Sequence, residues 1–210
     1  MFPILLDLAK LRVALVGNGP AALKRLALLD VDEARQVTVF ADAPSPELAA
    51  AAGARLRHAA PSAADLAGMH IVFAADLDEG RAAALAATVR ALGILLHLED
   101  RPALGNVHAP AQLRRGDLLL TVSTNGRSPG LARRLKRFLE GIFGAEWQER
   151  LDGLAALRQN WRESGALPAE IARWTEEWVD RHHWLDTDAH GARPIPAVPQ
   201  RRDGTLLHHG

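Results

Sequence analysis

Two glycines, Gly17 and Gly19, follow directly after an apolar run of strand length and begin a stretch of helix-forming residues. The pattern Gly-x-Gly-x-x-Ala between a strand and a helix is typical of the turn that holds the pyrophosphate of a dinucleotide. In this interpretation Gly17 permits the tight turn, Gly19 lets a phosphate approach, and Ala22 keeps the helix close to the sheet. The alternative is a plain tight turn in an α/β domain, and the flanking strand and helix favour the dinucleotide.

Neighbouring residues extend this predicted cofactor site. Pro20, at the first helical position, lacks an N–H that the helix would leave unpaired, and the remaining N–H groups and the helix dipole favour phosphate. Asp42 stands just beyond the second predicted strand, about twenty residues after the glycines, where a carboxylate binds the ribose 2′-hydroxyl of NAD. This position favours NAD over NADP. The alternative, that Asp42 only begins the turn before Pro44, stays open.

Two further aspartates, Asp76 and Asp100, follow predicted strands. The carboxyl ends of parallel strands share one edge, so we expect Gly17, Asp42, Asp76 and Asp100 to surround one crevice. Asp100 is the strongest candidate for chemistry, because a carboxylate beside a nicotinamide can accept a proton or hold a metal ion. A turn or N-cap aspartate before Pro102 is the equally weighted alternative.

The remaining polar candidates are weaker. His97 lies inside a strand and is predicted to be buried and hydrogen-bonded, whereas His108 lies in a loop that can face ligand or solvent. The histidines near the C-terminus lack the spacing of metal ligands and are expected to lie on the surface; they are His182, His183 and His190. No metal site is predicted. Ser123 and Ser128 lack the partners of a nucleophile and are predicted to hydrogen-bond a polar ligand.

The elements that must position these residues alternate along the first half of the chain. Apolar and β-branched runs predict strands at 11–16, 36–41, 54–58, 71–75 and 94–98. Helical spacing predicts helices from residue 20, at 47–52 and at 79–91. This alternation predicts an α/β fold whose N-terminal part is a Rossmann-like, doubly wound parallel sheet. The lead-in 2–8 is predicted to pack under the first helix or to add an edge strand.

After Pro110 the pattern changes to a strand at 118–123, a polar turn and a helix at about 130–143. This small α+β region carries an apolar helix seam that needs a partner, which favours a homodimer; the seam is Leu131, Leu135, Phe138 and Ile142. Helices at 146–163 and 168–185 predict a helical hairpin with tryptophan-rich stripes. We therefore predict four regions: a cofactor-binding domain, a dimerisation and ligand region, a helical region and a disordered tail, at 1–112, 113–145, 146–186 and 187–210.

Composition excludes several classes of protein. The 210 residues include 25 basic and 25 acidic ones, so the zero net charge gives no indication of nucleic acid or an anionic membrane as partner. The absence of cysteine excludes disulfides, thiolate metal sites and cysteine nucleophiles. No apolar run reaches membrane-spanning length and no signal-peptide pattern begins the chain, so we expect a cytoplasmic protein.

Four blocks of sequence, at 16–25, 73–76, 96–102 and 122–133, together resemble the siroheme synthase N-terminal family over about residues 1–145. The most specific are Leu-His-Leu-Glu-Asp-Arg-Pro and Val-Ser-Thr-Asn-Gly-Arg-Ser-Pro-Gly-Leu-Ala-Arg. The resemblance implies NAD-dependent oxidation of precorrin-2 to sirohydrochlorin and, in many members, insertion of Fe²⁺ to give siroheme. It also implies a tetrapyrrole as ligand and a homodimer with a swapped middle region.

Site residues carry over from the resemblance position by position. Asp100 matches the aspartate implicated in both steps. The residues expected to bind NAD are Gly17, Asn18, Gly19, Pro20, Ala21, Asp42, Ala43, Ala75 and Asp76. Those expected to line the tetrapyrrole site are Asn106, Ser123, Thr124, Asn125, Arg127 and Ser128. Precorrin-2 carries many carboxylates, which suit an arginine and a hydroxyl-rich turn.

The chain departs from the family's pattern at several of these positions. Asn18 replaces a glycine, Asp76 replaces a common threonine, Asn106-Val107 replaces Ser-Phe, and Asn125 replaces a glycine. The last two departures border the tetrapyrrole site, so the dehydrogenase activity is favoured over the chelatase activity. The alternatives are a non-catalytic NAD or tetrapyrrole binder, acting as regulator or carrier, and a dehydrogenase with another, smaller substrate.

Overall fold

The computed structural model describes residues 2–99 and 101–186, and the chain divides into two compact units at residues 109 and 110. The first unit contains a five-stranded parallel sheet in the order β3-β2-β1-β4-β5. Its strands are β1 (Arg12–Val16), β2 (Gln36–Phe40), β3 (Leu56–Arg57), β4 (Ile71–Ala74) and β5 (Leu95–Leu98). The order reverses at β1 and β4, so their carboxyl ends form the switch point at which such sheets bind ligands. The predicted Rossmann-like fold is confirmed.

Helices cover both faces of this sheet; they are α1 (Pro20–Val31), α2 (Pro46–Ala52), α3 (Ala63–Leu66) and α4 (Glu79–Ala91). Alternate residues of the central strands point to opposite faces. Leu15 and Phe73 pack with Leu26 of α1, whereas Val72 packs with Leu85 of α4. The central strands β1 and β4 are therefore held between two buried layers.

The structure corrects some predicted boundaries in this unit. The third strand has two residues instead of 54–58, because Gly53–Arg55 forms a 3₁₀ turn just before it. The helix α3 was not predicted, although Ser62 and Asp65 form a capping box at its start. The lead-in forms no strand; its Leu6 packs against the core, while the side chain of Phe2 is exposed.

The second unit begins with an antiparallel hairpin of β6 (Ala111–Arg115) and β7 (Leu118–Val122). Gly116 turns between them with a φ of +55°, a conformation that favours glycine. Strand β6 was not predicted, because its residues include two arginines and only Leu113 is buried. The hairpin packs with α5 (Pro129–Ile142).

Two longer helices, α6 (Glu146–Glu163) and α7 (Pro168–Arg181), form the predicted helical hairpin. Trp161 and Trp174 pack between them with ring centroids 5.5 Å apart, so these tryptophans serve the packing. None of the helices within 2–99 and 101–186 has the length and apolarity to cross a membrane. The tail predicted to be disordered, 187–210, lies outside the described residues.

Candidate active site

The bend after β1 brings bare backbone to the switch point. A Cβ atom on Gly17 would lie 2.3 Å from the carbonyl oxygen of Ala75, so no other residue fits there. The Gly17 N–H donates to Phe40 of β2 at 3.1 Å, and the Ala75 N–H donates to Val16 at 3.0 Å. The bend is thus fixed between the ends of three strands.

The helix α1 begins directly at this bend. Gly19 is its N-cap residue and offers no side chain to the first N–H groups, and Pro20 has no N–H at all. The N–H of Ala22 donates to Oδ2 of Asp76 at 2.9 Å. Asp76 is exposed and has a φ of +56°, a left-handed conformation that aspartate tolerates better than most residues. Asp76 therefore lies at the bend, where it was predicted.

Asp42, at the end of β2, is held on both carboxylate oxygens. The side-chain N–H of Asn18 donates to one oxygen at 2.8 Å, and Arg81 donates to the other at 2.9 Å. These two bonds, that of Asn18 first, lower the pKa of Asp42 to about 2. Asn18 also accepts from the N–H of Ala43 at 3.3 Å. The predicted residue is therefore an ionised carboxylate beside the bend, and Arg81 was not foreseen.

The other predicted cofactor residues border the same place. Pro20 and Ala21 form the first turn of α1. Ala43 and Ala75 follow the ends of β2 and β4.

A second polar group lies at the carboxyl end of β5. Arg25 of α1 donates to both carboxylate oxygens of Glu99, at 3.0 and 3.1 Å, and its guanidinium lies 5.4 Å from the ring centroid of Phe73. The Arg25 side chain is 12% exposed and that of Glu99 is 29% exposed. Neither residue was a predicted site residue.

His97 belongs to this group. It is buried, and its Nδ1 lies 3.1 Å from the carbonyl oxygen of Val107, which assigns the proton to that nitrogen. Burial lowers the pKa of His97, so the ring is neutral near pH 7. The prediction of a buried, hydrogen-bonded histidine is confirmed.

Asp100 lies outside the described residues, but the chain on both sides of it is well held. The N–H of Glu99 donates to the carbonyl of Ala74 at 3.0 Å. The guanidinium of Arg101 donates to the carbonyl of Leu77 at 2.8 Å. Both bonds tie the end of β5 to β4 or to the loop that follows it. His108, farther along, is half-buried in its loop.

Asn106 serves the edge of β5. Its side-chain oxygen accepts from the N–H of Leu96 at 2.7 Å, and its own N–H donates back to Leu96 at 3.0 Å. Residues 105–107 therefore lie against Leu96 of β5. If Asn106 binds a ligand, it does so through its side-chain N–H groups, because its side-chain oxygen already accepts from Leu96.

In the second unit, the polar turn before α5 is held by its own hydroxyls. Thr124 Oγ1 accepts from the N–H of Ser128 at 3.1 Å and donates to its carbonyl at 3.0 Å. Ser128 Oγ accepts from the N–H of Leu131 at 3.3 Å, which caps α5, and Ser123 Oγ accepts from the N–H of Asn125 at 3.2 Å. The three hydroxyls thus shape the turn.

Asn125 and Gly126, at the tip of this turn, have φ values of +55° and +76°. Arg127 follows them, exposed, and within the described part of the chain its guanidinium has no hydrogen-bond or ion-pair partner. This leaves Arg127 available to an external carboxylate.

Among residues 2–99 and 101–186, no group of three or more His, Asp or Glu side chains is placed to hold a metal ion. His182 Nδ1 lies 2.7 Å from the carbonyl oxygen of Trp178, and His183 pairs with Asp186 at 2.6 Å. Both histidines therefore hydrogen-bond to neighbours within four residues of them in the chain. His190 lies outside the described residues.

Two regions of the chain match known families. Residues 4–111 match the family described as putative NAD(P)-binding. Residues 115–141 match the family described as sirohaem biosynthesis protein central.

Relatives that match most of the chain are siroheme synthases. The chain is 35% identical to a siroheme synthase of Methylococcus capsulatus and 36% identical to one of Gluconacetobacter diazotrophicus. These alignments cover 88% and 85% of the chain but only 38% and 39% of the relatives. A solved structure titled SirC, precorrin-2 dehydrogenase, superposes with a TM-score of 0.69 at 25% identity, covering 89% of this chain and 94% of that one.

Proposed function

The chain belongs to the siroheme synthase N-terminal family, and from this premise we propose that it oxidises precorrin-2 to sirohydrochlorin with NAD as the acceptor. The observation that carries the proposal is the bare glycine bend at the start of α1, with the ionised Asp42 beside it. The similarity to a precorrin-2 dehydrogenase along nearly its full length supports the choice of substrate.

The residues at the bend fit a dinucleotide. Gly17 permits the tight bend, Gly19 has no side chain to hinder a pyrophosphate, and the N–H groups at the start of α1 would face it. Asp42, ionised at any pH above about 2, would accept hydrogen bonds from a ribose, and Asn18 fixes its orientation. The chemistry supplied by a bound nicotinamide is the acceptance of a hydride.

The oxidation removes a hydride and a proton from precorrin-2, so a base is needed for the proton. We assign this role to Asp100, which is the second residue after β5 in the sequence. The neighbouring Glu99 is already paired with Arg25, and the Nδ1–H of His97 donates to the carbonyl of Val107. Glu99 and His97 instead stabilise the end of β5.

The turn before α5 would receive the macrocycle. Precorrin-2 carries several carboxylates, and Arg127 is an exposed guanidinium without a partner in the described chain. The backbone N–H groups of Asn125 and Gly126, which both have left-handed φ values, would lie beside Arg127. Ser123, Thr124 and Ser128 would act by holding the turn in shape, and their hydroxyls retain acceptor capacity for a ligand.

Insertion of Fe²⁺, as a substrate, into sirohydrochlorin is the second activity of this proposal. The similarity to siroheme synthases favours it. Asp100 would then take the pyrrole protons that the metal displaces. Siroheme formation from sirohydrochlorin and Fe²⁺ without oxygen tests it, and a rate no higher than that of the protein-free mixture would refute it.

We also propose that the chain acts as a homodimer. Helix α5 exposes an apolar row whose members have exposures of 49, 40, 65 and 51%: Leu131, Leu135, Phe138 and Ile142. A contiguous exposed apolar row of this kind marks an interaction surface. The matching row of a second copy would cover it.

The direct test is anaerobic turnover of precorrin-2 with NAD by the wild-type chain and by Asp100→Asn. We expect NADH and sirohydrochlorin from the wild type, and NAD binding without turnover from the variant. Asp78→Asn is the matched control, because it removes one carboxylate from the loop after β4 and keeps the helix cap. Normal turnover by Asp100→Asn would refute its role. Binding of NAD and tetrapyrrole without turnover by the wild type would favour a carrier or regulator.

A further inference from the structure

The carboxylate of Asp76 lies where the proposed site would receive a phosphate. Its Oδ2 accepts the N–H of Ala22 at 2.9 Å, and its Cγ lies 3.1 Å from the position of a Cβ built on Gly19. Gly19 provides no side-chain cap and Pro20 has no N–H. Asp76 therefore uses one of the few N–H groups that this helix end has to offer an anion.

Two anions cannot share this helix end without cost. A helix N-terminus stabilises one nearby negative charge, through its free N–H groups and its dipole. A pyrophosphate bound at the same N–H groups would lie within a few ångströms of the Asp76 carboxylate, and like charges at that distance repel.

The side chain of Asp76 can leave its position at the start of α1. Its side chain is exposed, so it can rotate into water without losing a buried environment. Within residues 2–99 and 101–186 the bond to Ala22 is its single side-chain hydrogen bond. By contrast, Asp42 is held by both Asn18 and Arg81.

We infer that Asp76 is a built-in competitor of the cofactor's pyrophosphate: it caps α1 in the cofactor-free chain and must leave when the dinucleotide binds. This inference rests on the proposed function, because it assumes a dinucleotide at this bend. Its consequence is a weakened affinity for the cofactor and a faster release of the reduced cofactor, since Asp76 returns to the Ala22 N–H as the pyrophosphate departs.

Two substitutions test the competitor. Asp76→Asn keeps a hydrogen-bond acceptor and tolerates the left-handed backbone but removes the charge. Asp76→Gly removes the acceptor as well and suits a φ of +56°. Asp78→Asn is the matched control, because it removes one charge two residues away and leaves a residue that still caps Arg81 of α4. Circular dichroism establishes that each variant is folded.

Calorimetric titration with NAD gives the dissociation constants. We expect both Asp76 variants to bind about tenfold more tightly than the wild type, whereas Asp78→Asn stays within about twofold of it. Equal or weaker binding by both Asp76 variants would overturn the inference and make Asp76 a direct cofactor contact or a bystander.

A second probe separates this inference from the proposed function. Inorganic pyrophosphate has the same P–O–P anion without the nucleosides, and with a higher negative charge, so it tests the helix end alone. If the wild type binds no NAD but the Asp76 variants bind pyrophosphate more tightly than the wild type does, the competitor stands and the proposed cofactor falls. If no variant binds either probe, the competitor is refuted.

Discussion

The ion pair between Arg25 and Glu99 offers the most quantitative prediction. In Glu99→Gln, Arg25 keeps its charge but loses the carboxylate that accepts three hydrogen bonds from its guanidinium. Removing one partner of a fully buried pair costs about 3–5 kcal/mol of the free energy of unfolding, and an exposed pair contributes about 0–1 kcal/mol. The Arg25 side chain is 12% exposed and the Glu99 side chain 29%. The expected cost is therefore intermediate, about 2 kcal/mol, since glutamine still offers one acceptor oxygen.

Urea unfolding followed by far-ultraviolet circular dichroism measures this cost. The matched control is Asp7→Asn in the same unit, because Asp7 pairs with Lys10 at 2.8 Å while both side chains are largely exposed. That control is expected to lose much less stability than Glu99→Gln, because solvent screens an exposed pair. In the double variant Arg25→Met with Glu99→Gln, the loss should be smaller than the sum of the single losses. A loss in Glu99→Gln no larger than in Asp7→Asn would refute the account of the β5 end.

Three further predictions concern pH, cofactor choice and assembly. Burial lowers the pKa of His97 below 6.5, so the unfolded chain binds a proton that the folded chain excludes, and the free energy of unfolding falls as the pH drops through 6.5. Between about pH 7.5 and 5.5, His97→Gln should therefore lose less of this free energy than the wild type does in urea titrations. An equal loss in both proteins would contradict this. Asp42→Ala removes a charge that repels the 2′-phosphate of NADP, and it frees Arg81 to bind that phosphate. The ratio of the NADP to the NAD dissociation constant should therefore fall about tenfold. An unchanged ratio would argue against a ribose at Asp42. In sedimentation experiments Phe138→Glu should turn the proposed dimer into a monomer, while Lys136→Glu on the same helix should not, and a monomeric wild type would disprove the dimer.

Local patterns predicted most of the first unit. The helix predicted from residue 20 is α1, and its buried residues are Ala22, Leu26 and Leu29, which share one helical face. The continuous apolar run 71–75 predicted a strand, and β4 is buried at all four of its residues. In each case the signal lies within a few residues, because one helix turn or one strand is enough to show it.

Contacts between distant residues were beyond such patterns. Arg25 and Glu99 are 74 positions apart, and Arg81 and Asp42 are 39 apart, so only the fold brings them together. Strand β6 was missed for a related reason, because it is stabilised by pairing with β7 and not by its own apolar residues. The pairing partner, not the local sequence, decides such a strand.

The polar turn before α5 shows the same limit at the site. The hydroxyls of Ser123, Thr124 and Ser128 suggested ligand binding from their residue types alone. In the structure these hydroxyls already bond to the turn's own backbone. Residue type indicates what a side chain can bind, but the backbone around it determines which bonds are left for a ligand.

The central claim is that this chain passes a hydride from a tetrapyrrole to a nicotinamide cofactor bound at the Gly17 bend. The most direct measurement mixes the purified chain with precorrin-2 and NAD without oxygen and counts NADH against sirohydrochlorin by their absorbance. The account predicts that the two products form together, one NADH for each sirohydrochlorin. Sirohydrochlorin without NADH, or neither product above the protein-free rate, would contradict it.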